Sequence, residues 1–569
     1  MRQLTAMDAS FLYVEAGGTP GHTSGLIVVD PSTAPQPITA ETIREYIAAR
    51  IHLIPPLRWR LVEVPFGLDL PYWIDDPELD LEYHVNGTGL PRPGTDEQLS
   101  QLLARLASRP LDRSRPLWEV YVIDGMQSGH VGIFTKAHHA AMDGKSNMQM
   151  LATLLDLEPV GREIPPPKGP TGERVPRDVE MAGRAWLNAL ARPEVGVRLA
   201  VNMARESVGM GRKLTAKRDT GAIKAMTRTA PKTVFNQQLS KRRNCAFATL
   251  SLTTVRQVKS ALGCTVNDVI LAVCAGALRR HLLEHDGLPD ESLLAMVPIS
   301  IRAADAGGAA GNQVSATAAE LATTSADPLE WVRVAHESMN AGKALNDAVP
   351  AALLQEFGQF TAPAAAEFVA RTFANLKVVN RVAMPFNVVV SNVPGPRETL
   401  YYAGAEMVGL FPVSMVSDGV GLNITIISYR DDLDFGLIST PEIVPDIWTL
   451  MSYFQDALDE VAAAAGVTAS PAGETSIAST EEAPAATAPA RKRAAKRPAS
   501  SAPAAKRATK KTARKPAAKK APTTKAAAKK AATTPSAAAA EAPTAEEQTA
   551  PRAAKKAPTK KAPATKAPA

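Results

Sequence analysis

Apolar and polar positions in the first 157 residues alternate between strand-like and helix-like stretches. Ser24-Gly25-Leu26-Ile27-Val28-Val29 is an apolar run of strand length. Glu41 to Ile51 predicts a helix that ends near His52, and Leu99, Leu102, Leu103 and Leu106 share one face of a helix over Glu97 to Ala107. Val120 to Ile123 and Val131 to Phe134 read as a hairpin around a Gly-containing turn, and Ser146 to Leu157 as a further helix. Glu158 to Arg177, with Pro165-Pro166-Pro167-Lys168-Gly169-Pro170, reads as a surface linker. Met181 to Leu214 has helical spacing interrupted by Pro193, which breaks or kinks a helix. Its Trp186, Leu187 and arginines suit either helices packed on the body or a basic amphipathic segment lying on anionic lipid.

The mixed pattern resumes at Thr233. Ala246 to Leu252, Leu294 to Ile301 and Phe386 to Ser391 predict strands. Thr254 to Leu262, Val266 to Leu283 and Asp446 to Ala464 predict helices. Gly421 to Tyr429 and Leu433 to Ile438 form a second hairpin pattern around Arg430-Asp431-Asp432. The pattern thus predicts an α/β protein of two halves, residues 1–160 and 233–468, joined by a linker and helical crossover at 161–232 and followed by a tail at 469–569.

Composition sharpens the division. The chain has 569 residues, 45% of them hydrophobic, enough for a large core. Its net charge of +7 conceals a tail after Ser470 with 22 Lys+Arg and 6 Asp+Glu, a formal +16, on a body of −9. That tail has no aromatic residue and one large aliphatic, Ile477, so it is expected to be disordered. Three cysteines without a CxxC pair argue against a disulfide framework or structural zinc and fit a reducing cytosol. The start of the chain lacks the apolar core of a secretory signal, and no apolar run has the length of a membrane span. If the protein handles lipid, it is therefore expected to do so from the membrane surface.

The chemistry concentrates in His138-His139-Ala140-Ala141-Met142-Asp143-Gly144, directly after a predicted strand. A neutral imidazole is a natural general base near neutral pH, and the Asp-Gly step favours a tight turn. From the residues alone, a polar hairpin end with an Asp-Gly turn also explains the segment, since a bare pair of histidines is more often structural than catalytic. GxSxG and HExxH are absent, and Gly144-Lys145-Ser146 lacks the earlier glycine of a phosphate-binding loop. Adjacent histidines are awkward joint metal ligands, which leaves base catalysis without a metal or covalent intermediate.

This HHxxxDG segment resembles that of the chloramphenicol-acetyltransferase-like superfamily, which includes peptide-synthetase condensation domains. The surroundings resemble bacterial wax ester synthase/diacylglycerol acyltransferases, including actinobacterial triacylglycerol synthases. The matching blocks are Leu4 to Phe11, Pro110 to Glu119 with Pro116-Leu117-Trp118, Thr265 to Ala272 with Asn267-Asp268, Val297 to Arg302, and Ser391 to Pro396. They occur in family order over about Leu4 to Ala464, and the tail lies outside them.

The resemblance implies two acetyltransferase-like halves with a tunnel between them. It also implies transfer of a long-chain acyl group from acyl-CoA, as co-substrate rather than cofactor, to diacylglycerol or a fatty alcohol. By resemblance His139 is the general base, His138 supports it, Asp143 makes a structural ion pair with Arg302 as the expected partner, and Gly144 forms the turn. Asn267 and Asp268 are candidates for the oxyanion site or, alternatively, for a helix cap. Pro116, Leu117 and Trp118 are expected in packing or the tunnel wall. The rival readings are a condensation-like enzyme with a carrier-bound donor and an idle scaffold joining lipid surfaces to nucleic acid. The expected location is cytoplasmic, at the inner face of the membrane or on lipid inclusions. The basic tail suits nucleic acid, anionic lipid or no partner at all. Deletion after Ser470 is expected to leave turnover on dispersed short-chain substrate within about twofold of the full chain, measured by ester formation. Loss of that turnover would assign the tail to the catalytic machinery.

Overall fold

The computed structural model describes residues 1–15, 19–142, 144–167, 172–191, 229–285, 287–300, 314–348 and 384–472. Asp143, Arg302, most of the basic stretch after Ala191 and the tail from residue 473 lie outside the described residues. The strands are β1 (Arg2–Gln3), β2 (His22–Asp30), β3 (Trp59–Val62), β4 (Tyr72–Asp75), β5 (Val85–Gly89), β6 (Trp118–Asp124), β7 (Val131–His138), β8 (Asn244–Ser251), β9 (Leu294–Ser300), β10 (Val314–Glu320), β11 (Val388–Val393), β12 (Tyr401–Tyr402), β13 (Ala405–Val413), β14 (Asn423–Tyr429) and β15 (Asp432–Ser439). The helices used below are α1 (Ala6–Val14), α2 (Ala40–Arg50), α3 (Leu81–His84), α4 (Asp96–Ala107), α5 (Gly144–Leu154), α6 (Asp178–Ala191), α7 (Leu252–Leu262), α8 (Val266–Glu284), α9 (Pro328–Ala348) and α10 (Ile447–Ala464).

Local chemistry explains several boundaries. Thr39 and Thr95 start α2 and α4 with capping boxes closed by Thr42 and Gln98, which satisfy otherwise orphaned N–H groups. Gly263 ends α7 at φ 67°, a left-handed cap that glycine adopts without steric cost. The hairpins expected from alternation are present: β6 pairs with β7, and β14 with β15, both antiparallel.

Two mixed six-stranded sheets organise the chain, in the orders β12-β13-β2-β7-β6-β5 and β10-β9-β11-β14-β15-β8. A three-stranded sheet, β1-β4-β3, stands beside the first. The sheets do not follow the division of the chain at residue 233. Although β12 and β13 come from the C-terminal half, they complete the N-terminal sheet, with Phe411 opposite Leu26 and Val413 opposite Ser24. Alternation within one segment cannot reveal such an exchange, because a strand's pattern does not name its partner.

Side chains from the second sheet fix the exchanged strand. The Tyr429 hydroxyl donates to the Met407 carbonyl at 2.9 Å, and the Leu410 N–H donates to the Asp434 carboxylate at 2.7 Å. Thr249 donates to the other Asp434 oxygen at 2.8 Å. Burial pushes the Asp434 carboxyl up to about 7 despite these donors. Around the crossing, Leu26, Phe134, Phe247, Phe411 and Ile438 form one apolar cluster with α4, so both sheets share core there. The main core of the second half lies between its sheet and α7–α10, and α8 is buried over most of its length.

Gly436 lies where β15 presses against β13 of the other sheet: a Cβ there would lie 1.7 Å from the Pro412 carbonyl oxygen. Gly436→Ala is expected to lower stability by about 1–3 kcal/mol or more through overpacking. Gly183→Ala, on α6 with nothing within 4 Å, is expected to be neutral or stabilising by about 0.5–1 kcal/mol. Chemical denaturation of both variants checks the contrast.

Candidate active site

β7 runs between β2 and β6 and ends at His138, so the histidine pair sits where strand gives way to turn. Register places His138 opposite His22, and the His139 N–H continues the ladder by donating to the Gly21 carbonyl at 3.0 Å. The His138 carbonyl then accepts from Ala141 at 2.9 Å and Met142 at 3.0 Å, which closes the turn. Met142 packs into the core beneath the first sheet, while Ala140 and Ala141 join an apolar cluster with Leu4, Leu12, Leu117 and Trp73.

The two rings face different surroundings. His138 is fully buried. Its Nδ1 accepts the Ala140 N–H at 3.0 Å, so the proton of the neutral ring sits on Nε2. Nε2 faces Glu15 Oε1 at 3.3 Å, a close contact without the alignment of a hydrogen bond. His139 is half-buried and stacks on Phe11, with centroids 4.8 Å apart and planes 17° from parallel.

Glu15 follows α1 and gathers several groups. Its Oε1 accepts the Gly21 N–H at 2.8 Å, and its Oε2 accepts Arg113 Nε at 3.2 Å and Nη2 at 2.8 Å. Arg113 also donates to the Leu12 carbonyl at 2.5 Å. Burial opposes the Glu15 charge, but His138, the Gly21 N–H and Arg113 together hold the carboxyl down to about 2. Gly21 has no space for a side chain: a Cβ would lie 2.8 Å from the Phe11 carbonyl and 2.9 Å from His138 Nε2.

The Pro116-Leu117-Trp118 block supports this arrangement from below. The Leu117 carbonyl accepts the His138 N–H at 3.0 Å. Trp118 is buried, donates its indole N–H to the Leu57 carbonyl at 2.7 Å and stacks on His84 at 4.3 Å. The Pro116 carbonyl accepts the Trp118 N–H at 2.9 Å. Two residues before His138, buried Lys136 donates to Glu119 at 2.9 Å and to the Arg109 carbonyl at 3.0 Å. Buried His22 donates from Nε2 to the Ala107 carbonyl at 3.0 Å; burial, then the nearby Lys136 charge, pushes its imidazole down to about 3.

Other expected residues are placed elsewhere. Gly144 is the first residue of α5. Asp143 and Arg302 lie outside the described residues. Asn267 and Asp268 stand at the start of α8, where the cap is Thr265: its hydroxyl accepts the Asp268 N–H, and Asp268 Oδ2 accepts the Thr265 N–H at 2.9 Å. Asp268 therefore closes a capping box, and Asn267, half-buried inside the first turn, is not the cap. Asp268 also accepts from His336 Nδ1 on α9 at 2.7 Å. Among the described residues no group of three or more His, Cys, Asp or Glu could hold a metal ion.

Nothing in the residue pattern marks Glu15, Gly21, Phe11 or Arg113 as functional. The signal lay in two blocks matched by resemblance, Leu4 to Phe11 and Pro110 to Glu119, whose joint purpose appears when Arg113 meets Glu15 and Leu117 meets His138.

Two interlocked mixed sheets, with a histidine pair at the end of a central strand, are the architecture of a two-halved acyltransferase. The sequence profile of the wax ester synthase/diacylglycerol acyltransferase catalytic domain matches residues 4–270, and that of the family's C-terminal domain matches residues 310–462. The chain belongs to the wax ester synthase/diacylglycerol acyltransferase family and is an O-acyltransferase. A Mycobacterium bovis protein provisionally named diacylglycerol O-acyltransferase is 34% identical over 466 residues, covering 81% of this chain and 98% of the relative. A Mycobacterium tuberculosis protein with the same provisional name is 33% identical over 463 residues, covering 81% of this chain and 90% of the relative. The solved wax ester synthase/diacylglycerol acyltransferase of Marinobacter aquaeolei superposes with a TM-score of 0.57 at 29% identity, covering 82% of this chain and all of that one.

The buried His22 sets a direction for pH dependence. Its folded pKa of about 3 lies below the unfolded value of ~6.5, so the unfolded chain binds more protons as pH falls. Stability from this group is complete above about pH 6.5 and is lost as pH falls toward 3, at up to about 1.4 kcal/mol per pH unit. Urea titrations between pH 7 and pH 4 should show a shallower slope for His22→Gln than for wild type. Parallel slopes would contradict the neutral, buried His22.

Proposed function

We propose that the protein is a long-chain acyl-CoA:diacylglycerol O-acyltransferase that makes triacylglycerol, with fatty alcohols as a second acceptor class. The observation that carries this reading is His139: half-buried at the end of β7, stacked on Phe11 and tied through its backbone to Gly21. The mycobacterial names favour diacylglycerol, and the Marinobacter enzyme's name favours alcohols as the second class.

In the proposed reaction His139 takes the proton of the acceptor hydroxyl as its oxygen attacks the thioester carbonyl. The tetrahedral intermediate collapses to the ester and expels the CoA thiolate, which receives the proton back from His139. Such proton transfer contributes about 10²–10⁴-fold. His138 supports the loop, Asn267 is the proposed amide donor to the oxyanion, and Asp143 with Arg302 forms the proposed ion pair. Acyl chains would occupy an apolar tunnel between the halves, where each buried CH₂ is worth ~0.8 kcal/mol. As written, the chemistry calls on no metal ion or organic cofactor.

The proposed place of action is the cytoplasmic face of a membrane or a lipid inclusion. Among the described residues no single helix is long and apolar enough to cross a membrane. Support for surface contact comes from α6, which packs on the three-stranded sheet through Met181 and Ala185 and leaves Val179, Trp186 and Leu187 exposed. Phe66 and Leu68, near the same helix, are exposed as well. Trp and Leu beside arginines suit the boundary between headgroups and acyl chains. The basic tail would add attraction to a polyanionic surface.

Purified protein incubated with radiolabelled palmitoyl-CoA and, in separate reactions, diacylglycerol or hexadecanol should form labelled ester. His139→Ala should lower the rate by about 10²–10⁴-fold. Ester formation that survives the substitution would eliminate the mechanism. Absence of ester from wild type with either alcohol would eliminate the assigned substrates.

A further inference from the structure

Glu15 faces the histidine pair through His138, and the reaction as proposed gives it no step. It belongs to neither β7 nor the HHxxxDG segment, yet its two oxygens meet three groups that fix that segment. Oε1 binds the Gly21 N–H, and the carbonyl of the same residue accepts the His139 N–H. Oε1 also stands 3.3 Å from His138 Nε2. Oε2 takes two donors of Arg113, and Arg113 secures the Leu12 carbonyl on α1, the helix that presents Phe11 to the His139 ring.

The buried imidazole of His138 has two possible neutral forms, but the turn accepts one. With the proton on Nε2, Nδ1 accepts the Ala140 N–H and the turn is satisfied. With the proton on Nδ1, two N–H groups would face each other at the turn, and Nε2 would set its lone pair against a carboxylate. A buried negative charge beside Nε2 selects between these forms. Arg113 makes that charge tolerable in a buried position, as a buried carboxylate without partners is costly.

We propose that Glu15 is a positioning residue of the transfer reaction: braced by Arg113 and the Gly21 N–H, its carboxylate keeps His138 in the Nε2–H form and so holds the turn that aims His139. The proposal rests on His139 as the base for its kinetic consequence, though not for the state of the His138 ring. A displacement of about 1 Å in a reacting group can cost ~10²-fold in rate, so the effect belongs in turnover rather than in substrate binding.

Glu15→Gln keeps the shape and removes the charge. With palmitoyl-CoA and diacylglycerol, kcat should fall by about 10–100-fold while both KM values stay within about twofold. Glu15→Asp should recover part of the loss. In ¹⁵N-histidine spectra of the full-length protein, with His138 assigned by its absence in His138→Gln, wild type should show a protonated Nε2 and an unprotonated Nδ1. Glu15→Gln should show a mixture. Unchanged kcat, a loss confined to KM, or an unchanged His138 tautomer would each overturn the proposal. The spectra require no substrate, so they decide the point even if wild type makes no ester and the functional reading fails. Should Glu15→Gln not fold, as judged by circular dichroism, Arg113→Gln keeps the carboxylate and removes its brace together with the bond to the Leu12 carbonyl; it is expected to lower kcat in the same direction, and unchanged turnover there would refute the idea.

Discussion

Strand β2 is the seam on which the molecule depends. One edge pairs with β7, which ends in the histidines, and the other pairs with β13, contributed from late in the chain. The residue just before β2 supplies the carbonyl that receives the His139 N–H. A slip of one residue in either pairing would move the side chains of β2 to opposite faces and separate Gly21 from the turn. The register is strongly specified, because Leu26 and Val28 enter the cluster shared with α4 while Ile27 and Val29 enter the core on the opposite face. Position of His139 and cohesion of the two halves are thus consequences of one set of backbone hydrogen bonds.

Around this seam the protein buries an unusual amount of polarity: His22, Lys136 and His138 are all buried. Each is tied to a neighbour through an amide, a carbonyl or a carboxylate. Such groups are expensive to bury and stiffen a site when satisfied, because a lost partner leaves a desolvated donor or acceptor. The pKa shifts of His22 and Glu15 run with and against burial, respectively. His22 resists protonation, whereas Glu15 stays ionised because its donors outweigh the cost of burial.

Much of this was legible from sequence where the signal is local. Leu99, Leu102, Leu103 and Leu106 announced α4, and the apolar run before His138 announced β7, because burial of one face writes a period into the residues. Partnership leaves no such trace. The pattern at Ala405 to Val413 does not say which sheet it joins, and α9, with few continuous apolar positions, was invisible until Trp331, Val332, Ala335 and Met339 were seen against α8. The site follows the same rule. His138 and His139 stand out because two adjacent histidines are chemically conspicuous. Glu15 and Arg113 are unremarkable charged residues, 98 positions apart, whose meaning arises only when α1 and the loop before β6 meet. Asn267 illustrates the reverse: an Asn-Asp pair before an apolar run suggests a cap, but the threonine two positions earlier takes that place with Asp268 as its partner.

The chemistry proposed here explains why the polar investment goes into position rather than into a relay of charge. A thiol ionises near pH 8.5 in an unperturbed cysteine, so a thiolate leaves a tetrahedral centre without strong acid assistance. The demanding proton is the one on the acceptor alcohol, and a single neutral imidazole of pKa ~6.5 can take it in the transition state and return it to sulfur. Such a base gains little from a full charge behind it. It gains much from a fixed direction, since the acceptor is a flexible lipid whose reacting hydroxyl is a small part of its surface. Phe11 against the ring, Gly21 against the backbone and a carboxylate holding the neighbouring histidine together supply that direction.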